Sequence, residues 1–268
     1  GNASDNQPLV VYEFRPLIAL RYENPNIFII CGQHGFEKQS TFGMWYLLND
    51  VVNNTDDSPV AKYIREFVHL YVIPVANPSG WDTNEYVNSN GVNLNRNWYV
   101  DGWVKVVEPA SQASGDAPFD QPETSAMRDL IDSIPNILLL MDCHQNGAGI
   151  VTYENINWID ITKIDDAYYN KTLKASVFEI SAITRLFRNL YQAEIGGTDE
   201  LCGRIGNNNP STKGYADLWA IQQRNIIGIT HEGFGGFPLG TVNNPTSHKA
   251  NSELLGNFIK NFLCYYSR

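Results

Sequence analysis

Three apolar runs in this 268-residue chain end in side chains that bind metals or carry protons. Ile27–Cys31 leads into Gly32-Gln33-His34-Gly35-Phe36-Glu37, Ile137–Met141 into Asp142-Cys143-His144, and Ile226–Thr230 into His231-Glu232. Short apolar runs bounded by glycine or polar residues read as strands buried on both faces. In open α/β sheets, ligands gather beyond the carboxyl ends of such strands. His34, Glu37 and His144 offer two imidazoles and a carboxylate, a set that suits one zinc ion and leaves a fourth position for water. Zinc so held polarises a carbonyl and brings the pKa of its water to roughly 7. A further carboxylate must then take the proton, and Glu232 is the candidate.

A His-x-x-Glu pair by itself recurs by chance, so the second loop system carries weight. Asn77-Pro78-Ser79-Gly80 is followed by Gly91-Val92-Asn93-Leu94-Asn95-Arg96-Asn97-Trp98. An arginine among asparagines suits a carboxylate ligand, because its planar fork binds one bidentately.

HGFE, NPSG, GVNLNRNW, a strand-ending histidine and THE, in that order from Ile27 to about Gly235, closely resemble the M14 zinc carboxypeptidases. The resemblance implies a mixed, largely eight-stranded sheet with helices on both faces. It makes His34, Glu37 and His144 the ligands of one zinc ion and Glu232 the carboxylate that activates water. Asn95 and Arg96 would grip the free C-terminal carboxylate of a peptide. Tyr215 is the nearest match to the family's substrate-covering tyrosine, and Asp217 lies near the pocket floor, where it would favour a basic terminal residue. The expected reaction is removal of C-terminal residues from peptides. The short connection between NPSG and GVNLNRNW is similar to the murein-peptide and phage-associated branch, which adds cell-wall peptides and an extracytoplasmic or phage-associated setting. Two alternatives stand beside it: deacylation of an N-acyl amino acid, as in the related desuccinylases and aspartoacylases, and a silent peptide-binding module that keeps the cleft.

Two positions depart from the family pattern. Tyr86 stands where an arginine that stabilises the oxyanion is expected, and loss of one such donor costs on the order of 10²–10³ in rate. Arg204 is the candidate substitute. Asn93 stands where an aspartate usually accepts a hydrogen bond from a ligand histidine; its amide oxygen can still accept, without the charge.

Strands and helices have to position these groups. Beside the three buried runs, Val68–Val75 reads as a strand, and Val10–Phe14 and Leu17–Tyr22 as shorter β-rich runs. Helical spacing marks Ser40–Val51, with Phe42, Trp45, Leu48 and Val51 on one face, and also Pro122–Ile134, Thr172–Tyr191 and Ser247–Tyr265. Residues 87–97, 101–120 and 196–213 read as long glycine- or asparagine-rich loops, which in a compact domain are usually functional or disordered. No repeat or linker divides the chain, so one domain over residues 1–268 is expected.

A net charge of −10 argues against a nucleic-acid partner and gives no reason to expect an anionic membrane surface. No stretch reaches the roughly 18 apolar residues of a membrane span. The chain shows no signal-peptide pattern and opens with Gly1, which leaves its compartment open. Among the four cysteines, Cys31 and Cys143 read as buried thiols, and a Cys202–Cys264 bridge is conceivable. His69 and His231 read as core histidines, His231 on the strand face opposite Glu232, and His248 as a surface residue. Structural roles are expected for Glu123 and Asp142, with Asp142 turned away from the metal.

Overall fold

Alternation within the buried runs decides what lies on each side of the sheet. The structure is a computed structural model and describes residues 1–20, 23–53, 57–145, 149–152, 204–205, 214–233 and 245–266. The strands among them are β1 (Tyr12–Phe14), β2 (Asn26–Cys31), β3 (His69–Ile73), β4 (Ile137–Gln145), β5 (Gly149–Thr152), β6 (Arg204–Ile205) and β7 (Ile227–Gly233). The helices are α1 (Lys38–Asn53), α2 (Pro59–Phe67), α3 (Pro78–Thr83), α4 (Pro122–Ser133), α5 (Ala216–Arg224) and α6 (Pro245–Tyr266). The seven described strands, against the eight implied, form one mixed sheet in the order β1-β3-β2-β4-β7-β5-β6. Its middle, β3-β2-β4-β7, is parallel. Antiparallel β1 closes one edge, while β5 runs antiparallel to β7 and parallel to β6.

Ile27, Ile29, Leu139, Met141, Ile227 and Ile229 pack against α1, α2 and α6, chiefly Met44, Leu48, Ile64, Phe258 and Phe262. Phe28, Ile30 and Leu140, one residue out of step, meet Trp98, Met127, Ile131 and Trp219, from the Asn-rich loop, α4 and α5. Each such large side chain removed from water contributes about 1.5–3 kcal/mol. This two-sided burial is why the runs are continuously apolar.

Several expectations need correction. Residues 17–20 form no strand; Leu17 and Ile18 donate their N–H groups to Arg65 and Glu66 carbonyls at the end of α2, and Leu17, Ile18 and Leu20 stay exposed. On α1 the buried stripe is Thr41, Met44, Leu47, Leu48 and Val51. Trp45 is instead exposed, edge-on to Tyr12, and Phe42 meets Trp81 at the rim. The Thr172–Tyr191 helix and Cys202 lie outside the described residues.

Helix starts follow ordinary capping chemistry. Ser58 accepts from the Ala61 N–H ahead of α2, and Asn77 from Gly80 ahead of α3, each followed by proline in the first turn. Two glycines let backbones touch. A Cβ on Gly35 would lie 1.9 Å from the Gly80 carbonyl carbon, so α3 and the His34 loop meet only without one. On Gly228 it would lie 2.1 Å from the Asp217 carbonyl oxygen, where α5 presses onto β7. Gly228→Ala should therefore lower stability by at least about 1–3 kcal/mol, read as a lower urea midpoint at unchanged slope.

Candidate metal centre

The parallel strands end side by side, and the polar residues follow where they end. After β2 the chain turns through Gly32, whose positive φ of 68° an L side chain rarely adopts. Asn77 holds the turn, donating its N–H to the Gly32 carbonyl and its side-chain amide to that of Gln33. His34 and Glu37 sit in the next turn, closed by the Glu37 N–H on the His34 carbonyl just ahead of α1. His144 is the penultimate residue of β4.

Glu37 lies between the two imidazoles. His34 Nδ1 is 3.0 Å from Glu37 Oε1, and His144 Nδ1 is 2.8 Å from Oε2, which also accepts the Gln145 N–H. One ligand atom from each of the three buried residues lies within 4.8 Å of the other two. Zinc–ligand bonds of about 2.0–2.1 Å set the edge of a tetrahedron at about 3.3 Å. Small outward movements of the two rings would thus admit an ion, and the donor set fits zinc. Each outer nitrogen meets an oxygen, His34 Nε2 at 3.1 Å from Asn93 Oδ1 and His144 Nε2 at 2.9 Å from Asp142 Oδ2. That is the outer-partner arrangement that orients metal-binding histidines.

The electrostatics agree. Burial pushes the Glu37 carboxyl up, but the His34 and His144 imidazoles outweigh it and bring it to about 2. Burial likewise opposes charge on His144, yet the Asp142 and Glu37 carboxylates raise its pKa well above the usual value. The Asp142 and Glu37 carboxylates thus favour the protonated form of His144. A divalent ion would compete with that proton.

Glu232 pairs in register with His144 across the parallel β4–β7 ladder, one strand spacing away. Its neighbour His231 pairs with Cys143; it is fully buried, and burial and then the His144 charge hold its pKa at about 3. Asn95 and Arg96 sit in a short 3-10 turn that Asn93 caps. Asn95 is buried, its Oδ1 accepting from the Ala216 N–H and its Nδ2 2.9 Å from His144 Nε2. Arg96 donates from Nε to Gln112 and from Nη1 to the Asn95 carbonyl, with its guanidinium 4.4 Å from the Tyr215 ring centre.

The zinc carboxypeptidase family model matches residues 2–237. The chain belongs to that family. Carboxypeptidase SOL1 of Arabidopsis thaliana is 28% identical over 169 residues, 63% of this chain but 32% of that protein, so the chain spans about a third of this curated relative. Among solved structures, a metallo-carboxypeptidase from Burkholderia cenocepacia superposes with a TM-score of 0.67 at 18% identity, over 99% of this chain and 64% of the other. Bovine thrombin-activatable fibrinolysis inhibitor, in complex with tick carboxypeptidase inhibitor, gives 0.69 at 18%, over 100% and 88%. These likenesses establish the zinc carboxypeptidase fold.

Four placements differ from expectation. Tyr215 is buried, with the Arg96 guanidinium 4.4 Å from its ring centre. Asp217 is enclosed at the start of α5, accepting from the Leu218 N–H and the Thr230 hydroxyl, and so offers no open carboxylate to a basic residue. Asp142 faces the centre, because residues two apart on a strand share a face; that alternation in DCH was the sequence signal for it. Arg204 lies on β6, three strand spacings or roughly 14 Å from β4. Tyr86, by contrast, sets its ring 5.0 Å from His34 and 4.3 Å from Phe36, and is partly exposed. Two other histidines also move: His69 pairs with Glu13 at a half-buried edge, and His248 is buried against Phe42. Glu123 has its structural role, accepting from Ser4 and Asn88.

Burial, then the nearby Asp142 charge, raises the Asp217 pKa from 3.8 to about 7. A carboxyl raised in the folded state contributes stability below its unfolded pKa and loses it as pH rises through about 7. In chelator-treated protein, Asp217→Asn should therefore be more stable than wild type at pH 8 by a few kcal/mol, since each tenfold change in proton affinity is worth about 1.4 kcal/mol. The gap should close toward pH 4 in paired urea titrations.

Proposed function

We propose that this chain is a zinc-dependent carboxypeptidase that hydrolyses the last peptide bond of a peptide with a free C-terminus. The observation that carries the reading is the convergence of His34, Glu37 and His144 within reach of one ion, in a chain of the zinc carboxypeptidase family. Zinc held there supplies Lewis acidity toward the scissile carbonyl and an acidified water.

The chain's own residues do the rest. Glu232, next to His144 across the ladder, takes the proton of the attacking water and returns it to the leaving amine. Arg96 receives the terminal carboxylate: of its five N–H donors two are engaged, and the Tyr215 ring fixes its plane. Tyr86 supplies a hydroxyl beside the reacting carbonyl, since its ring rests on His34. Arg204 is not needed for that task.

Small N-acyl amino acids would satisfy Arg96 equally well, so the preference is set by testing both substrate types. Peptides with a free terminus should be cut and their C-terminal amides spared, with acylated amino acids poorer than peptides. Arg96→Ala should raise KM more than it lowers kcat. Glu232→Gln should lower kcat by about 10²–10⁴ while zinc content by metal analysis stays at wild-type level. Full activity in Glu232→Gln, or cleavage of amidated peptides at equal rate, would sink the reading. Binding without turnover by the wild type would mark a silent module instead.

A further inference from the structure

We propose that Asp142 is a positioning residue for His144, and that a buried hydrogen-bond chain, Trp98–Gln33–Asp142–His144, fixes which nitrogen that imidazole presents to the metal. The proposal rests on the zinc reading above. The Trp98 indole N–H donates to Gln33 Oε1 at 3.0 Å. Gln33 Nε2 donates to Asp142 Oδ1 at 2.7 Å, and His144 Nε2 donates to Asp142 Oδ2 at 2.9 Å. All four side chains are buried.

The direction of this chain is forced from its far end. An indole nitrogen only donates, so the Gln33 oxygen must face Trp98 and the Gln33 amide must face Asp142. One carboxylate oxygen is thereby occupied, leaving the other for the imidazole. The ring proton is held on Nε2, and the Nδ1 lone pair is turned toward Glu37, where an ion would be shared.

The two histidine ligands are then unequal. His34 Nε2 meets a neutral amide oxygen on Asn93, which also accepts the Asn95 N–H. A carboxylate partner makes a ligand imidazole more basic than an amide does. The charge absent at Asn93 is supplied from the other side of the centre by Asp142. A second consequence falls on Asn95. Its Nδ2 also lies 2.9 Å from His144 Nε2, and a nitrogen that already donates to Asp142 cannot accept. Because Asn95 Oδ1 accepts from Ala216, the amide cannot flip to escape. Its N–H is left seeking an acceptor, such as an oxygen of the substrate.

Asp142→Asn keeps the volume and removes the charge. Its zinc Kd, measured by competition with a chromophoric chelator, should weaken by about 10–100-fold, and the visible bands of the cobalt-substituted protein should shift. Gln33→Met leaves every charge in place but frees the carboxylate, and should weaken zinc by a smaller, several-fold factor. Adding Asn93→Asp to Asp142→Asn should recover part of the affinity. An unchanged zinc Kd in Asp142→Asn overturns the proposal. So does a loss of affinity with an unshifted cobalt spectrum, which would mean a merely structural role. Should Asp142→Asn fail to fold, Gln33→Met carries the test, and wild-type affinity there is the overturning result. A wild type that takes up no zinc would remove the zinc reading itself, a different outcome from a metal-binding wild type with an indifferent Asp142.

Discussion

A carboxylate shut away from water needs close polar partners, and Glu37 has two imidazoles, one from the turn after β2 and one from the end of β4. His34 comes from its own turn, and His144 from 107 residues further along. Desolvation alone would raise the pKa of the carboxyl; the pair of rings instead brings it to about 2. An isolated buried ion of this kind is costly, and breaking such a pair by removing one partner costs about 3–5 kcal/mol. The β2 turn and the end of β4 are therefore held together by charge as well as by packing. A divalent cation answers the same demand more fully than protons do, with the rings already aimed.

Aim of that accuracy has to come from the elements behind the rings. The parallel register sets His144 beside Glu232 and Asp142 beside Thr230, so polar residues of the two strands fall at matching positions. Gly228 lets α5 close onto β7, seating Asp217 on Thr230. The GVNLNRNW loop closes from the other side. Asn93 caps its turn and touches His34, Asn97 ties it to Ser114, Ala117 and Asp120, and Trp98 fills the core while reaching Gln33. Polar networks this deep stabilise only when every member finds a partner. Motif residues that look like ligands in the sequence are, in several cases, the joints of this framework.

Much of the centre was legible because metal chemistry restricts residue types so tightly. Two histidines and a glutamate at strand ends have few other uses, and apolar runs announce the strands that carry them. What stayed hidden depended on partners distant in sequence. Asp217 looks like a pocket-floor charge until α5 is seen to bury it, and the stacking of Arg96 on Tyr215 has no mark in the sequence. Asp142 was within reach of a simple rule, since residues 142 and 144 must share a face, yet adjacency to the ligand obscured it. The edge positions were the weakest: residues 17–20 have strand-like composition but no neighbour to pair with, so they end in hydrogen bonds to α2.

The cleft side of the centre differs from its protein side in one respect that bears on the chemistry. Behind the rings His34 Nε2 and His144 Nε2 each meet an oxygen, whereas in front of His34 stand Phe36 and Tyr86, packed ring to ring. A guanidinium there would spread its charge over a developing oxyanion; a phenol offers one neutral donor and a ring face. Neutral donors are roughly half as strong as charged ones. On the proposed reading, more of the transition-state charge would fall to an ion held by His34, Glu37 and His144. The demands on those ligands would rise accordingly, and a His144 ring oriented by Asp142 would help to hold such an ion in place. The same aromatic pair sets an apolar surface beside His34, with Tyr86 exposed.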